Sequence, residues 1–264
     1  MNSHLRVTMI QSALAWQEPA TNRRQLAAHF RGLAGHTDLI VLPEMFPTGF
    51  TMAADALAES MDGPTIGWLR GEAAALGCVI TGSLIVREDG RHFNRLVWAR
   101  PDGTLEHYDK RHLFRMAEEQ EHFSAGAHRI TVELKGWRVC PLVCYDLRFP
   151  VWSRNRGDYD LLVYVANWPA KRAHAWASLL RARAIENLSY VVGVNRVGTD
   201  GNGVSYAGDS VVLDFVGKSL SSEGGGDRVE TTVLGLESLR AYRASFPAHL
   251  DADDFELKQV ARAT

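Results

Sequence analysis

Three segments limit what this chain can become. DLIVLPE at 38–44, YDLLVYVANWP at 159–169 and YVVGVNRVG at 190–198 carry apolar runs too short for a buried helix, and they lack the alternation of a strand wetted on one face. Such runs are strands covered on both sides, so the chain needs layers above and below its sheets. Another strand is predicted over LRVTMIQ (5–11). Between it and 38–44, Leu26, Phe30 and Leu33 fall at helical spacing behind a candidate cap, Asn22, with Gly35 as the stop. A second helix is expected to open at Asp62 or Pro64, to carry Ile66, Leu69 and Leu76, and to close at Gly77, with proline inside its start and glycine past its end.

The pattern then turns to hairpins. CVITGSLIV, RHFNRLVWA and TLEHYDK are separated by Asp89-Gly90 and by Pro101-Asp102-Gly103, both turn signals, and read as an antiparallel meander. Residues 115–128 are polar and read as a loop or short helix above the sheet edge. In WRVCPLVCYD (137–146), Pro141 has no N–H for a ladder, so the strand either runs at an edge there or begins near Leu142. A helical stretch over 150–156 follows, and a longer helix over 173–188 places Trp176, Leu179, Leu180, Arg183 and Asn187 on one side. SVVLDFVGK and VETTVLGL flank the loop 221–227, and the remainder reads as a polar tail to Thr264. Helices alternating with strands, together with hairpins, predict an α/β fold: a four-layer α-β-β-α sandwich with two mixed sheets. A single doubly wound sheet is the alternative. No repeat or linker divides the chain, so one domain over 1–264 is expected.

Charge narrows the function classes. Lys and Arg total 29 against 31 Asp and Glu, without a basic run, which leaves no footprint for nucleic acid or an anionic membrane. The amino terminus lacks a signal-peptide pattern and no stretch is apolar for long enough to span a bilayer, so a cytosolic protein acting on small molecules is expected. Cys78, Cys140 and Cys144 are an odd set with no His-rich partner segment, so neither disulfides nor a metal are expected.

Three polar residues follow apolar runs directly: Glu44, Lys110 and Cys144, separated by 66 and 34 residues. Only a fold that aligns strand ends brings them together. Their chemistry is complementary, because an ammonium beside a thiol favours thiolate, and a carboxylate can act as general base for the thiol and then for water.

The flanking residues carry a resemblance. LPEMFPTGF around Glu44, YDKRHLF around Lys110 and CYDLRFP around Cys144 resemble, in order, the signature blocks of the nitrilase, or carbon–nitrogen hydrolase, superfamily. Asn94, ANWP at 166–169, RARAIEN at 181–187 and GDS at 208–210 also resemble family features. The resemblance implies Glu44 as general base, Lys110 as stabiliser of the tetrahedral intermediate and Cys144 as nucleophile, with the backbone N–H of Tyr145 as a second oxyanion donor and no cofactor. It also implies a second glutamate after the lysine; Glu119 is chosen because it stands seven residues before Gly126, with Glu118 and Glu121 as the alternatives. True nitrilases follow the cysteine with Trp-Glu, whereas this chain has Tyr145-Asp146, which favours an amidase. CYDLRFP and the compact length look most like the omega-amidase branch, acting on terminal amides of 2-oxo dicarboxylic acids such as 2-oxoglutaramate.

A substrate of that kind needs a cation for its free carboxylate and an apolar wall. Arg148 is the candidate cation, with a structural ion pair to Asp146 or a neighbouring carboxylate as its alternative, and Phe50, Phe114 and Trp168 are candidate walls. Other aliphatic amidases or nitrilases, a thiol amidotransferase using His112 and a decayed binding module are the competing functions. Family members commonly pair through helices near 173–188, so at least a homodimer is expected through the face of Trp176, Leu179 and Leu180, with an ordinary core-facing helix as the alternative.

Overall fold

The computed structural model describes residues 4–222 and 224–257. The first sheet has the order β13-β1-β2-β3-β4-β5. Its strands are β1 (His4–Gln11), β2 (Leu39–Val41), β3 (Val79–Glu88), β4 (Arg91–Ala99), β5 (Leu105–Asp109) and, from the far end of the chain, β13 (Arg228–Gly235). The second has the order β12-β9-β8-β7-β6, built from β6 (Val132–Leu134), β7 (Trp137–Val143), β8 (Leu161–Ala166), β9 (Tyr190–Asn195) and β12 (Val211–Leu213). A small hairpin, β10 (Val197–Thr199) with β11 (Ser205–Ala207), stands apart. Both large sheets mix parallel and antiparallel pairs.

The helices are α1 (Pro19–His29), α2 (Ala54–Leu57), α3 (Pro64–Leu76), α4 (Glu119–His122), α5 (Pro150–Ser153), α6 (Ala173–Asn187) and α7 (Leu236–Ser245). The period of a strand separates the layers. Val7, Met9, Leu39 and Val41 pack against the second sheet, while Ile10, Ile40 and Leu42 turn outward to meet Leu26 and Phe30 from the α1 region and Ile66 and Leu69 of α3. On the opposite outside, α6 lies close on β9 because Gly193 leaves room: a Cβ there would stand 2.5 Å from Leu180 and 2.9 Å from Trp176. The result is the expected α-β-β-α sandwich.

Several local expectations change. Asn22 is not a cap; α1 starts at Pro19, and the buried Asn22 amide instead bonds Ala15 and the Pro47 carbonyl. The helix ends at His29, short of Gly35. Trp176 and Leu180 are fully buried, so the face expected to pair two subunits serves this chain's own core. The stretch read as a polar tail begins with α7, held by the buried Leu236 and Leu239, too narrow an apolar stripe to stand out among its charges; residues 258–264 of that tail lie outside the described residues.

Pro141 lies within β7, at a local edge. Strand β6 pairs only as far as Val139, and the Arg138 carbonyl accepts from Asp160 beside β8. Alternation along a parallel ladder then turns the nitrogens of Val139, Pro141 and Val143 away from β8. At Pro141 no strand stands on that side, and no ladder bond is lost.

Candidate active site

Glu44, Lys110 and Cys144 follow β2, β5 and β7, and the sandwich gathers them at one end. Two antiparallel steps separate β3 from β5, so β5 runs in the direction of β2, and both present their carboxyl ends together. Cys144 opens a short 3₁₀ turn, Cys144–Arg148, with φ of 42°, a conformation costly for a side chain that points it out of the strand line. The turn leaves its first N–H groups, including that of Tyr145, without partners inside it.

Lys110, Glu44 and Glu119 are all buried. The Lys110 Nζ donates to Glu44 Oε1 at 2.8 Å and to Glu119 at 2.8 and 3.0 Å. Asn94 Nδ2 bridges the two carboxylates at 2.9 and 3.2 Å, the Asn167 N–H donates to Glu44 Oε2 at 2.8 Å, and the Phe114 N–H donates to Glu119 at 2.6 Å. Glu119 is thus the glutamate brought to Lys110, ahead of its neighbours Glu118 and Glu121. Gly126 fixes the loop that delivers it: its N–H bonds the Lys110 carbonyl, and a Cβ there would collide with the Asp109 carbonyl.

Asp146 ties the cysteine turn to the lysine strand. Its carboxylate accepts from Tyr108 Oη at 2.7 Å and from the N–H groups of His112 and Val143, and His112 Nδ1 lies 2.7 Å from it. The expected alternative for Arg148, an ion pair with Asp146, is therefore not formed. His112 faces Asp146 and stacks on Phe149, so it does not serve as a base for the thiol.

Above Cys144 opens a cavity of about 540 Å³ whose lining includes Phe50, Phe114, Tyr145, Arg148 and Trp168. All four residues expected to bind substrate line it together with the nucleophile candidate.

A comparison with known families places residues 6–244 in the carbon–nitrogen hydrolase family. The chain belongs to that family. It is 47% identical to omega-amidase YafV of Escherichia coli over 96% of this chain and 98% of that one, and 31% identical to the 2-oxoglutaramate amidase of Bacillus subtilis over 93% and 96%. A crystal structure of a carbon–nitrogen hydrolase superfamily protein from Xanthomonas campestris, with an arsenic adduct in its active site, has a TM-score of 0.95 and 52% identity, covering 97% of this chain and 99% of that one.

Electrostatics in this hydrolase correct one expectation. The thiol of Cys144 is not acidified: burial raises its pKa well above the ordinary value, Glu44 adds to the effect, and Lys110 only partly opposes both. Burial also works against the Lys110 ammonium, but Glu119 and Glu44 outweigh it and hold the proton on. Burial and Glu44 raise the Glu119 carboxyl against the pull of Lys110. A resting thiolate would place a further negative charge in the same buried site, beside Glu44 and Glu119.

Alkylation by iodoacetamide tests this directly. Cys144 should react before Cys78 and Cys140, which burial pushes up to about 12 and which do not line the cavity. Because a raised pKa leaves the thiolate fraction growing about tenfold per pH unit, its labelling rate should climb without a plateau from pH 6 to 9. A plateau near neutrality would show an acidic thiol.

Sequence reasoning flagged Asn94 and Asn167 as family features without a role, and it missed the cavity residues Arg172 and Tyr206. No local signal marks these last two, since the fold alone brings them to the cavity wall.

Proposed function

We propose that this hydrolase is an omega-amidase, releasing ammonia from the terminal amide of a small 2-oxo dicarboxylic acid monoamide such as 2-oxoglutaramate. The observation that carries the reading is Arg148 in the cavity above Cys144. Its guanidinium lies 5.0 Å from the Trp168 ring centroid and has no carboxylate partner among the described residues, leaving it free for the substrate's carboxylate. The similarity to omega-amidase YafV and to a 2-oxoglutaramate amidase supports the same reading.

In the reaction, Sγ of Cys144 attacks the amide carbon as Glu44 takes its proton. The oxyanion is held by the Tyr145 N–H and by the Lys110 ammonium, whose three donors contact Glu44 and both oxygens of Glu119 at rest, so that one of the two donors on Glu119 turns to the oxyanion. Collapse of the tetrahedral intermediate breaks the C–N bond, Glu44 returns the proton to the leaving nitrogen, and ammonia departs. Water then gives a proton to Glu44 and attacks the thioester; expulsion of sulfur, reprotonated from Glu44, frees the acid. Glu119 orients Lys110 and the Phe114 segment. Phe50, Phe114 and Trp168 wall the substrate's carbon chain.

Ammonia release from 2-oxoglutaramate, 2-oxosuccinamate, butyramide and a small nitrile tests the reading. The oxo acid amides should exceed butyramide in kcat/KM by roughly 30- to 150-fold, the cost of leaving a site built for an anion unpaired. Equal rates for butyramide and 2-oxoglutaramate would end the omega-amidase assignment, and turnover of the nitrile alone would end the amidase assignment too. Arg148→Met should weaken the oxo acid amides selectively.

Three unpaired cysteines suit a cytoplasmic setting, and among the described residues no helix is long and apolar enough to cross a membrane. A homodimer also belongs to this reading. Its support is now the outer side of α6, where Ile185 is half exposed next to the turn bearing the exposed Val216. Sedimentation at micromolar concentration should give twice the chain mass; a monomer would remove the dimer.

A further inference from the structure

We infer that Arg172 is a second specificity residue of this cavity, one that with Arg148 selects a 2-oxo acid amide over the corresponding 2-amino acid amide. The inference rests on the omega-amidase reading and names what that site rejects.

Arg172 stands at the entry to α6 and lines the cavity that holds Cys144. Its guanidinium lies 5.7 Å from the centroid of the Phe114 ring, and its Nη2 contacts Met116 Sδ at 2.8 Å. A thioether is a weak acceptor for a charged donor. No carboxylate lies within salt-bridge distance of Arg172 among the described residues, so a substrate oxygen competes only with sulfur.

The acid–base inventory of the wall is one-sided. Arg148, Lys171 and Arg172 all line the cavity, whereas Asp200 is its one carboxylate among the described lining residues. Asp200 is committed elsewhere: it accepts from Tyr206 Oη at 2.8 Å and from the N–H groups of Asn202 and Val204 at 2.9 and 3.0 Å. An ammonium on the substrate's second carbon would thus meet two guanidinium groups and no free anion. A 2-oxo group at the same carbon adds an acceptor beside the carboxylate, giving two planar forks enough oxygens to bind. Attraction for the oxo acid and repulsion of the amino acid then come from the same two residues, and rejection of the wrong substrate is built from an unfavourable contact as well as a favourable one.

The experiment compares kcat and KM of the parent, Arg172→Gln and Arg172→Lys on 2-oxoglutaramate, glutamine and butyramide. The expected result is that Arg172→Gln lowers the kcat/KM ratio of 2-oxoglutaramate to glutamine by about ten- to a hundredfold, mainly through KM, with Arg172→Lys intermediate. The ratio of 2-oxoglutaramate to butyramide should fall as well, by less, since butyramide carries no ammonium to be relieved of repulsion. If the parent prefers 2-oxoglutaramate and Arg172→Gln keeps both ratios, the inference is overturned and the omega-amidase reading stands. Equal loss on all three amides would also overturn it, by making Arg172 a support of the cavity wall. If the parent shows no preference for 2-oxoglutaramate over butyramide, the omega-amidase reading fails first.

Discussion

Cys144→Ser is expected to fold with the parent's thermal midpoint while ammonia release falls by a factor on the order of 10³ or more. The strained conformation at 144, with φ of 42°, is set by the backbone and is no harder for serine than for cysteine. The nucleophile is what changes. A hydroxyl is far less acidic than a thiol, and here its proton would have to leave in a buried site beside Glu44 and Glu119. Glu44 can drive sulfur through that step because thiolate is the weaker base; alkoxide raises the barrier. Thermal unfolding and an ammonia assay on the same sample provide the check. Turnover within tenfold of the parent would remove Cys144 as nucleophile.

Lys110→Met should combine a large kinetic loss with a stability loss that depends on pH. The variant lacks an oxyanion donor, which typically costs on the order of 10²–10³ in turnover. It also leaves the buried carboxylates of Glu44 and Glu119, now 2.8 Å from the ammonium, facing each other without it. Removing one partner from a buried ion pair typically destabilises by about 3–5 kcal/mol. Burial and mutual repulsion would raise the pair's apparent pKa above that of the unfolded chain, so the folded variant would bind more protons than the unfolded one. The sign follows: relative to the parent, the stability deficit should be smallest in acid and deepen as pH rises from about 4 toward neutrality. Denaturant unfolding across that range measures it, and a deficit independent of pH would place the carboxylates' charge elsewhere.

The sandwich was legible because its central strands are unbroken apolar runs, and the hairpins were legible from Asp-Gly and Pro-Asp-Gly turns. Glu44, Lys110 and Cys144 were legible for a related reason: each follows such a run within a distinctive block. The suppressed acidity of Cys144 was not. It is a sum over burial, Glu44, Lys110 and Glu119, groups up to a hundred residues away, whereas the local inference weighed the ammonium alone. The choice between two roles for α6 was not legible, because a helical stripe of Trp176 and Leu180 has the same spacing whether it meets a neighbouring subunit or Gly193 beneath it. Arg172 lies in a short polar stretch before a helix, where arginine is ordinary, and only its place over Phe114 distinguishes it.

The tie from Asp146 to Tyr108 and His112 has a consequence for how this protein comes to life in time. Asp146 belongs to the segment after a strand of one sheet, and Tyr108 lies on a strand of the other, so no partly folded chain with a single finished sheet holds both halves of the machinery. Contacts that distant in sequence are slow to form, since the intervening loop must be closed before they contribute. During refolding, ammonia release should therefore appear with the last docking step and lag behind the recovery of secondary structure. Catalysis in this fold reports on completed assembly.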